Sequence, residues 1–370
     1  MTAAQVLALG HARDVAALTA RVAGWRAAVV LGEAGLDIAL HDLVDAASER
    51  ARVTVHFHPD RSLPAGGTVA SSLAEDGWYR NQFETGISNG GIPVEAGSSR
   101  DREERELFAD AYLRAGVRPG ERPKYGALDL LGRADGAAPE FGPCHLRLRP
   151  LVLPRCTFSL VDGNGTRDTG TWHLLHSLVA GLLEAAGTRR SPYGDVRGTV
   201  RALTGPSGPA VVGGGIDAPG PGGGHGGAGA RGALPPVRVD AQVHGDVLLS
   251  RDVDRLVADP SYRGTAVEED LLQIRDRYEI ELRWHRGFAL PLEILPSLCG
   301  ESMMSVLARQ VHREFAPAGR PLTAATIGRA AAAIHSDPRR WADWGSPSHT
   351  LSLLGQLWRV VVRYGVPLVP

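Results

Sequence analysis

Bulky apolar residues between Val6 and about Arg50 recur every three or four positions, as in Leu18, Val22, Trp25 and Val29 and again in Leu36, Leu40, Leu43 and Val44. That period predicts a lead-in of two or three helices. At Val53–Phe57 the pattern switches to VTVHF, alternating with period two, which predicts a strand. Pro59 cannot donate to a ladder and closes it. Thr68–Asp76 predicts a short helix stopped at Gly77, followed by a polar, glycine-containing loop, YRNQFETGISNGG (Tyr79–Gly91).

Farther along, Arg102–Leu113 predicts a charged amphipathic helix, and RPKYGALDLL a turn into a short helix or strand. CHLRLRPLVL (Cys144–Leu153) and CTFSLVD alternate as strands, and Trp172–Ala186 reads as a helix with His173 and His176 near its start. Gly and Pro dominate Gly205–Pro236, too poor in apolar surface to order itself, so a disordered insertion is expected there. VRVDAQVHG then resumes strand character, SRDVDRLVADP predicts a helix closed by Pro260, and YEIELRW predicts one more strand. Leu298–Gly365 is helical and carries tryptophans. The expectation is an α+β fold with a mixed, mostly antiparallel sheet. Its parts are a helical lead-in (1–50), an α+β catalytic domain (51–290, with the insertion at 205–236) and a C-terminal helical lobe (291–370).

Composition narrows the function classes. Across 370 residues the net charge is -1, so nothing pulls the chain as a whole toward nucleic acid or an anionic membrane. The opening MTAAQVLALGHARD lacks a basic segment followed by a long apolar core, and no uninterrupted apolar run approaches ~18 residues, so neither a signal peptide nor a membrane span is expected. Cys144, Cys156 and Cys299 have no metal-like spacing and read as reduced thiols of a cytoplasmic protein. Lys124 is the only lysine, and two of the three asparagines, Asn81 and Asn89, fall within YRNQFETGISNGG. The abundance of Ala, Gly, Pro and Arg points to a GC-rich bacterial genome, in which the remaining Lys and Asn mark positions chosen by chemistry.

Four segments carry candidate chemistry. In HFHPDR, His56 and His58 share one face of a strand, either as a metal pair or as a core and a loop histidine. The YRNQFETGISNGG loop combines rings, amides, a carboxylate and glycines, and offers Tyr79, Arg80, Asn81, Gln82, Glu84, Ser88 and Asn89 as ligand contacts. It matches neither a phosphate loop nor a dinucleotide fingerprint. In KYGALD, Lys124 sits beside Tyr125, whose ring suits a flat heteroaromatic ligand or a half-buried core position. In VDAQVHG, Asp240, Gln242 and His244 form an acid–amide–imidazole ladder on one strand face, pointing into a cleft or into solvent.

In this order the segments resemble an uncharacterised bacterial domain family with close versions of HFHPDR, YRNQFETGISNGG, RPKYGAL and a glutamate-bearing E-A-Q-V-H-G strand. That family looks like a distant branch of the ADP-ribosyltransferase superfamily. There a histidine or arginine ends the first strand, a tyrosine or serine lies midway, and an acidic residue closes the set on a later strand. The resemblance implies a catalytic trio of His58, Tyr125 and Asp240 acting on NAD as substrate. His58 would bond the adenosine-side ribose, Tyr125 would stack on nicotinamide, and Asp240 would hold the nicotinamide ribose.

Arg61 or Arg80 would then pair with the pyrophosphate, and Arg61 is also an alternative to His58 as the first-strand residue. Lys124, Gln242 and His244 complete the expected NAD contacts, with no resident metal and an acceptor that is a protein or a small molecule. Two positions depart from the superfamily pattern. Pro59 stands where glycine is usual, and Asp240 where glutamate is expected, with Glu279 or Glu281 as possible substitutes. The rivals are a metal-dependent hydrolase built on His56 and His58, and a non-catalytic binding module.

Overall fold

Seven strands pair into a single sheet: β1 (Arg52–Phe57), β2 (Lys124–Asp129), β3 (Cys144–Leu148), β4 (Cys156–Val161), β5 (Arg238–Val243), β6 (Val253–Ala258) and β7 (Glu281–Trp284). Their order across the sheet is β4-β5-β2-β1-β3-β6-β7. Every neighbouring pair is antiparallel except β6 and β7. The computed structural model describes residues 1–87, 97–161, 174–188, 190–205, 238–300, 302–317 and 319–369. Ser88, Asn89, His173 and the Gly/Pro-rich stretch after Gly205 lie outside them.

The helices are α1 (Ala3–Glu33), α2 (Leu40–Arg50), α3 (Val69–Asp76), α4 (Ser99–Phe108), α5 (Leu175–Gly187), α6 (Val196–Thr204), α7 (Ala266–Tyr278), α8 (Met303–Phe315), α9 (Ala324–Ser336) and α10 (Pro347–Tyr364). Local signals fix several ends. Thr68 caps α3 by accepting from the Ser71 N–H at 3.1 Å, and Gly77 closes it at φ 68°. One apolar core runs from Leu31 and Leu43 in the first two helices, through Val55, Leu146 and Leu256 in the sheet, to Leu354 and Trp358 in α10. The fold is thus α+β, with a mostly antiparallel sheet and flanking helices.

Three expectations need correction. SRDVDRLVADP forms only one helical turn (Leu249–Asp252) and then becomes β6. Val253, Leu256 and Val257 have helix-like spacing, but β6 lies between β3 and β7, and pairing on both sides overrides that local preference. The strand predicted over Cys144–Leu153 stops at Leu148, and Pro150–Arg155 winds as a 3-10 helix. Finally, the stripe Leu18, Val22, Trp25 and Val29 is exposed, while Ala8, Ala12 and Ala27 of the same helix are buried. Small side chains let the middle of α1 lie close on α4 and α5, and the bulky residues of this stripe are left outside, while Leu9 and Leu31 are buried toward the helix ends.

Candidate active site

Because cross-strand partners share a face, the register sorts the sheet into two sides. One side carries Val53, Val55, Leu128, Leu146, Leu256, Phe158 and Val239 into the core. The other carries Thr54, His56, Tyr125, His145, Thr157, Ser159, Asp240 and Gln242. All of these but Tyr125 are buried. The Pro139–Phe141 turn and α10 pack over this side, and the Trp358 indole N–H donates to the Pro139 carbonyl at 2.8 Å.

A buried polar face is stable only if its groups find partners. Gln242 donates to Ser159 Oγ at 3.1 Å, and the Thr157 hydroxyl donates to Gln242 Oε1 at 3.0 Å. Thr157 also meets His244 Nε2 at 3.0 Å, while the Tyr112 hydroxyl meets His244 Nδ1. His56 donates from Nδ1 to the Gly142 carbonyl at 3.1 Å and accepts the Ala138 N–H at Nε2 at 3.2 Å. Burial pulls His56 down to about 4 and His244 to about 3, so both rings are neutral at physiological pH.

His58 follows β1 on the same side, 6% exposed and edge-on to Trp358 with ring centroids 6.0 Å apart. Burial, with Arg61 and His56 beside it, holds this imidazole well below its usual range. Its ring makes no hydrogen bond among the described residues, unlike those of His56 and His244. The Arg61 guanidinium likewise forms no hydrogen bond or close ion pair among them, although the Asp60 carboxylate acts on it electrostatically. Asp60 accepts from the Tyr262 hydroxyl at 2.9 Å through Oδ2, while its buried Oδ1 has no partner. The HPDR turn therefore ends β1 with three polar groups that retain hydrogen-bonding capacity.

Tyr125 stands on β2, between β1 and β5, and is clamped by α4. Its hydroxyl donates to Glu104 Oε1 at 2.9 Å, and the Arg100 guanidinium lies 4.0 Å above its ring. Arg122 holds the other Glu104 oxygen at 2.8 Å and Asp101 at 2.6 Å. Burial raises the Glu104 carboxyl to about 7 in spite of Arg122. Asp240, on β5, accepts from Arg238 at 2.7 Å, and Arg238 also lies 3.5 Å from Glu140.

The trio follows a diagonal across the face. Tyr125 is one strand and two residues from both His58 and Asp240, which puts Cα atoms about 8 Å apart, while His58 and Asp240 are about 16 Å apart. Residues 52–205 and 233–364 match the family model DUF3626, described as a protein of unknown function. The chain belongs to the DUF3626 family. The two matched stretches contain all three residues of the diagonal, and α1 and α2 lie outside them. No curated protein matches the chain.

In this DUF3626 chain several expected ligand contacts have internal partners. Asn81 Oδ1 accepts from the Phe83 and Glu84 N–H groups at 2.8 and 3.1 Å, capping the Gln82–Thr85 turn. Its Nδ2 donates to the Pro119 and Arg122 carbonyls at 2.7 and 3.1 Å. Glu84 accepts from the Asn81 N–H at 2.9 Å. Lys124 points to the opposite side of β2 from Tyr125 and donates to the Gly120 carbonyl at 2.7 Å. Arg80 is held by Ser72 and Asp76, and Tyr79 pairs with Val247 in a two-stranded ladder. Gln82 differs, with a buried amide nitrogen that lacks a partner.

Glu281 lies on the edge strand β7, bound by Arg255 and Arg283, three strands from β1. Glu279 ends α7 in a left-handed conformation. Glu281 is on the same side of the sheet as Thr54 but at its far edge, and neither glutamate stands on a strand beside Tyr125, as Asp240 does. The residues that sequence reasoning missed are Arg100, Glu104 and Arg122. Their one signal was the four-residue spacing of Arg100 and Glu104, which fits a solvated helix face equally well.

Proposed function

We propose that the polar face binds NAD and that the protein is an ADP-ribosyltransferase-like enzyme that cleaves it. The observation carrying this reading is that His58, just past the end of β1, Tyr125 on β2 and Asp240 on β5 follow one another across neighbouring strands on one side of the sheet, in the chain order the superfamily resemblance implies. The fit is strongest at the HPDR turn, where the His58 ring and the Arg61 guanidinium have no hydrogen-bond partner among the described residues. Arg61 suits the pyrophosphate better than Arg80, which Ser72 and Asp76 already occupy. The His56 ring already holds two backbone groups, which disfavours the His56/His58 metal pair.

In the proposed step the bond between nicotinamide nitrogen and ribose C1 breaks, and the electron pair leaves with nicotinamide. The ribose takes oxocarbenium character, as in glycoside cleavage. An acceptor nucleophile, on a protein or a small molecule, then bonds to C1 and releases a proton. Asp240 would face the developing positive charge and stabilise it more than the ground state. Glu104 fixes the hydroxyl of Tyr125 and Arg100 packs on its ring, which orients the ring for stacking on nicotinamide.

Two features mark this site off from the superfamily pattern. Pro59 has no N–H to hold the nicotinamide carboxamide. Asp240 is one methylene shorter than glutamate and is drawn toward Arg238. The Arg238 contact favours a second reading, a module that binds NAD without cleaving it. Calorimetric titration with NAD, run beside chromatographic detection of nicotinamide, separates the two. Release that disappears in Asp240→Ala and Tyr125→Ala supports the enzyme; binding without release supports the module; neither binding nor release sinks both.

A further inference from the structure

We propose that α1 is a self-association helix, through which two copies of this chain pack antiparallel on the outward stripe Leu18, Val22, Trp25 and Val29, crossing near Leu18. The stripe has a coiled-coil-like spacing of four, three and four residues, yet Leu18 is 83% exposed, Trp25 67% and Val22 52%. Scattered exposed apolar residues need no explanation, but a continuous stripe containing a tryptophan marks an interaction surface. The inner face of α1 is already anchored on α4 and α5 by its alanines. The stripe is therefore presented on a fixed support.

Charge selects the occupant. Asp14 and Arg21 are seven residues apart on the same flank of the stripe, both exposed, and neither has an ion pair among the described residues. In an antiparallel pair crossing beside Leu18, symmetry sets Asp14 of each copy next to Arg21 of the other, giving two reciprocal ion pairs. The same register lays Trp25 of each copy over Gly10 of the other, where nothing lies within 4 Å of a Cβ position. A membrane surface fits less well. Although α1 is long and apolar enough to cross a bilayer, Arg13 and Arg21 are interspersed with Asp14 and Glu33, whereas interfacial helices carry predominantly basic flanks.

The test is sedimentation velocity of the full-length chain across micromolar concentrations, with vesicle co-sedimentation beside it. Wild type is expected to dimerise, and Leu18→Asp to be monomeric with unchanged circular dichroism. Asp14→Arg and Arg21→Asp should each weaken dimerisation about tenfold, and the double reversal should restore it. Three results overturn the proposal: a monomeric wild type, a dimer that Leu18→Asp leaves intact, or single reversals without effect. Leu18-dependent binding of monomeric protein to phosphatidylglycerol–phosphatidylethanolamine vesicles would instead assign the stripe to a membrane.

Discussion

The Tyr125 hydroxyl donates to Glu104 Oε1 at 2.9 Å, coupling the aromatic centre of the polar face to a buried carboxyl raised to about 7. The raised value has a definite consequence for stability. In the folded chain Glu104 holds its proton up to about 7, whereas its ordinary value is 4.5. The folded state thus binds more protons than the unfolded state between these values, and stability falls as pH rises through that window. Glu104→Gln removes the dependence. Denaturant unfolding from pH 4 to pH 8 should show wild type losing up to about 3 kcal/mol relative to the variant. Parallel pH curves would mean that folding leaves the Glu104 carboxyl at its ordinary value.

Asp60 and Gly328 make a second exacting contact. A Cβ built at Gly328 would lie 1.5 Å from Asp60 Oδ2, the oxygen that accepts from Tyr262. Gly328→Ala should therefore displace the HPDR carboxylate and destabilise the fold by about 1–3 kcal/mol in a thermal or denaturant melt. Gly355 in α10, with nothing within 4 Å, is the control. There, alanine should stabilise by up to about 1 kcal/mol through helix propensity alone. Equal effects at the two positions would contradict the packing argument.

These contacts mark where the sequence was legible and where it was not. Alternation in VTVHF, CTFSLV and VDAQVH identified β1, β4 and β5, because each strand has one apolar and one polar face. DVDRLVA was misread because Val253, Leu256 and Val257 fit either period until the neighbouring strands are known. Periodicity correctly made α1 a helix, but it could not say that alanines would take the inside. Glu104 was missed because its partners, Arg122 and Tyr125, lie 18 and 21 residues away, and only the fold brings them together. The rarity of Asn and Lys did mark constrained positions. At Asn81 and Lys124 that constraint is local architecture: Asn81 binds the 81–84 segment to the turn before β2, and Lys124 ties that turn to β2 itself.

Asn81 gives this architecture a test. Its side chain makes two capping bonds and two bonds to carbonyls. Asn81→Ala removes all four and should cost about 2–3 kcal/mol. Asn81→Asp keeps the capping acceptor but turns a carboxylate oxygen toward the Pro119 and Arg122 carbonyls. It should be at least as destabilising in the same unfolding assay. If Asn81→Asp were neutral, capping alone would account for the residue.

The most discriminating variant for catalysis is Asp240→Glu. Asp240 sits one strand from Tyr125, and Arg238 holds its carboxylate at 2.7 Å. If the shorter side chain leaves the carboxylate about 1 Å from the best position, cleavage runs roughly a hundredfold below what the site allows. Adding a methylene on a fixed strand extends the carboxylate from the sheet and loosens its contact with Arg238. Nicotinamide release should then rise by up to about a hundredfold, with NAD affinity nearly unchanged, because the gain belongs to the transition state. Arg238→Gln should act in the same direction but more weakly, by releasing Asp240 without lengthening it. Asp240→Glu that folds, binds NAD and releases nicotinamide no faster than wild type would remove Asp240 from the reacting end of the diagonal.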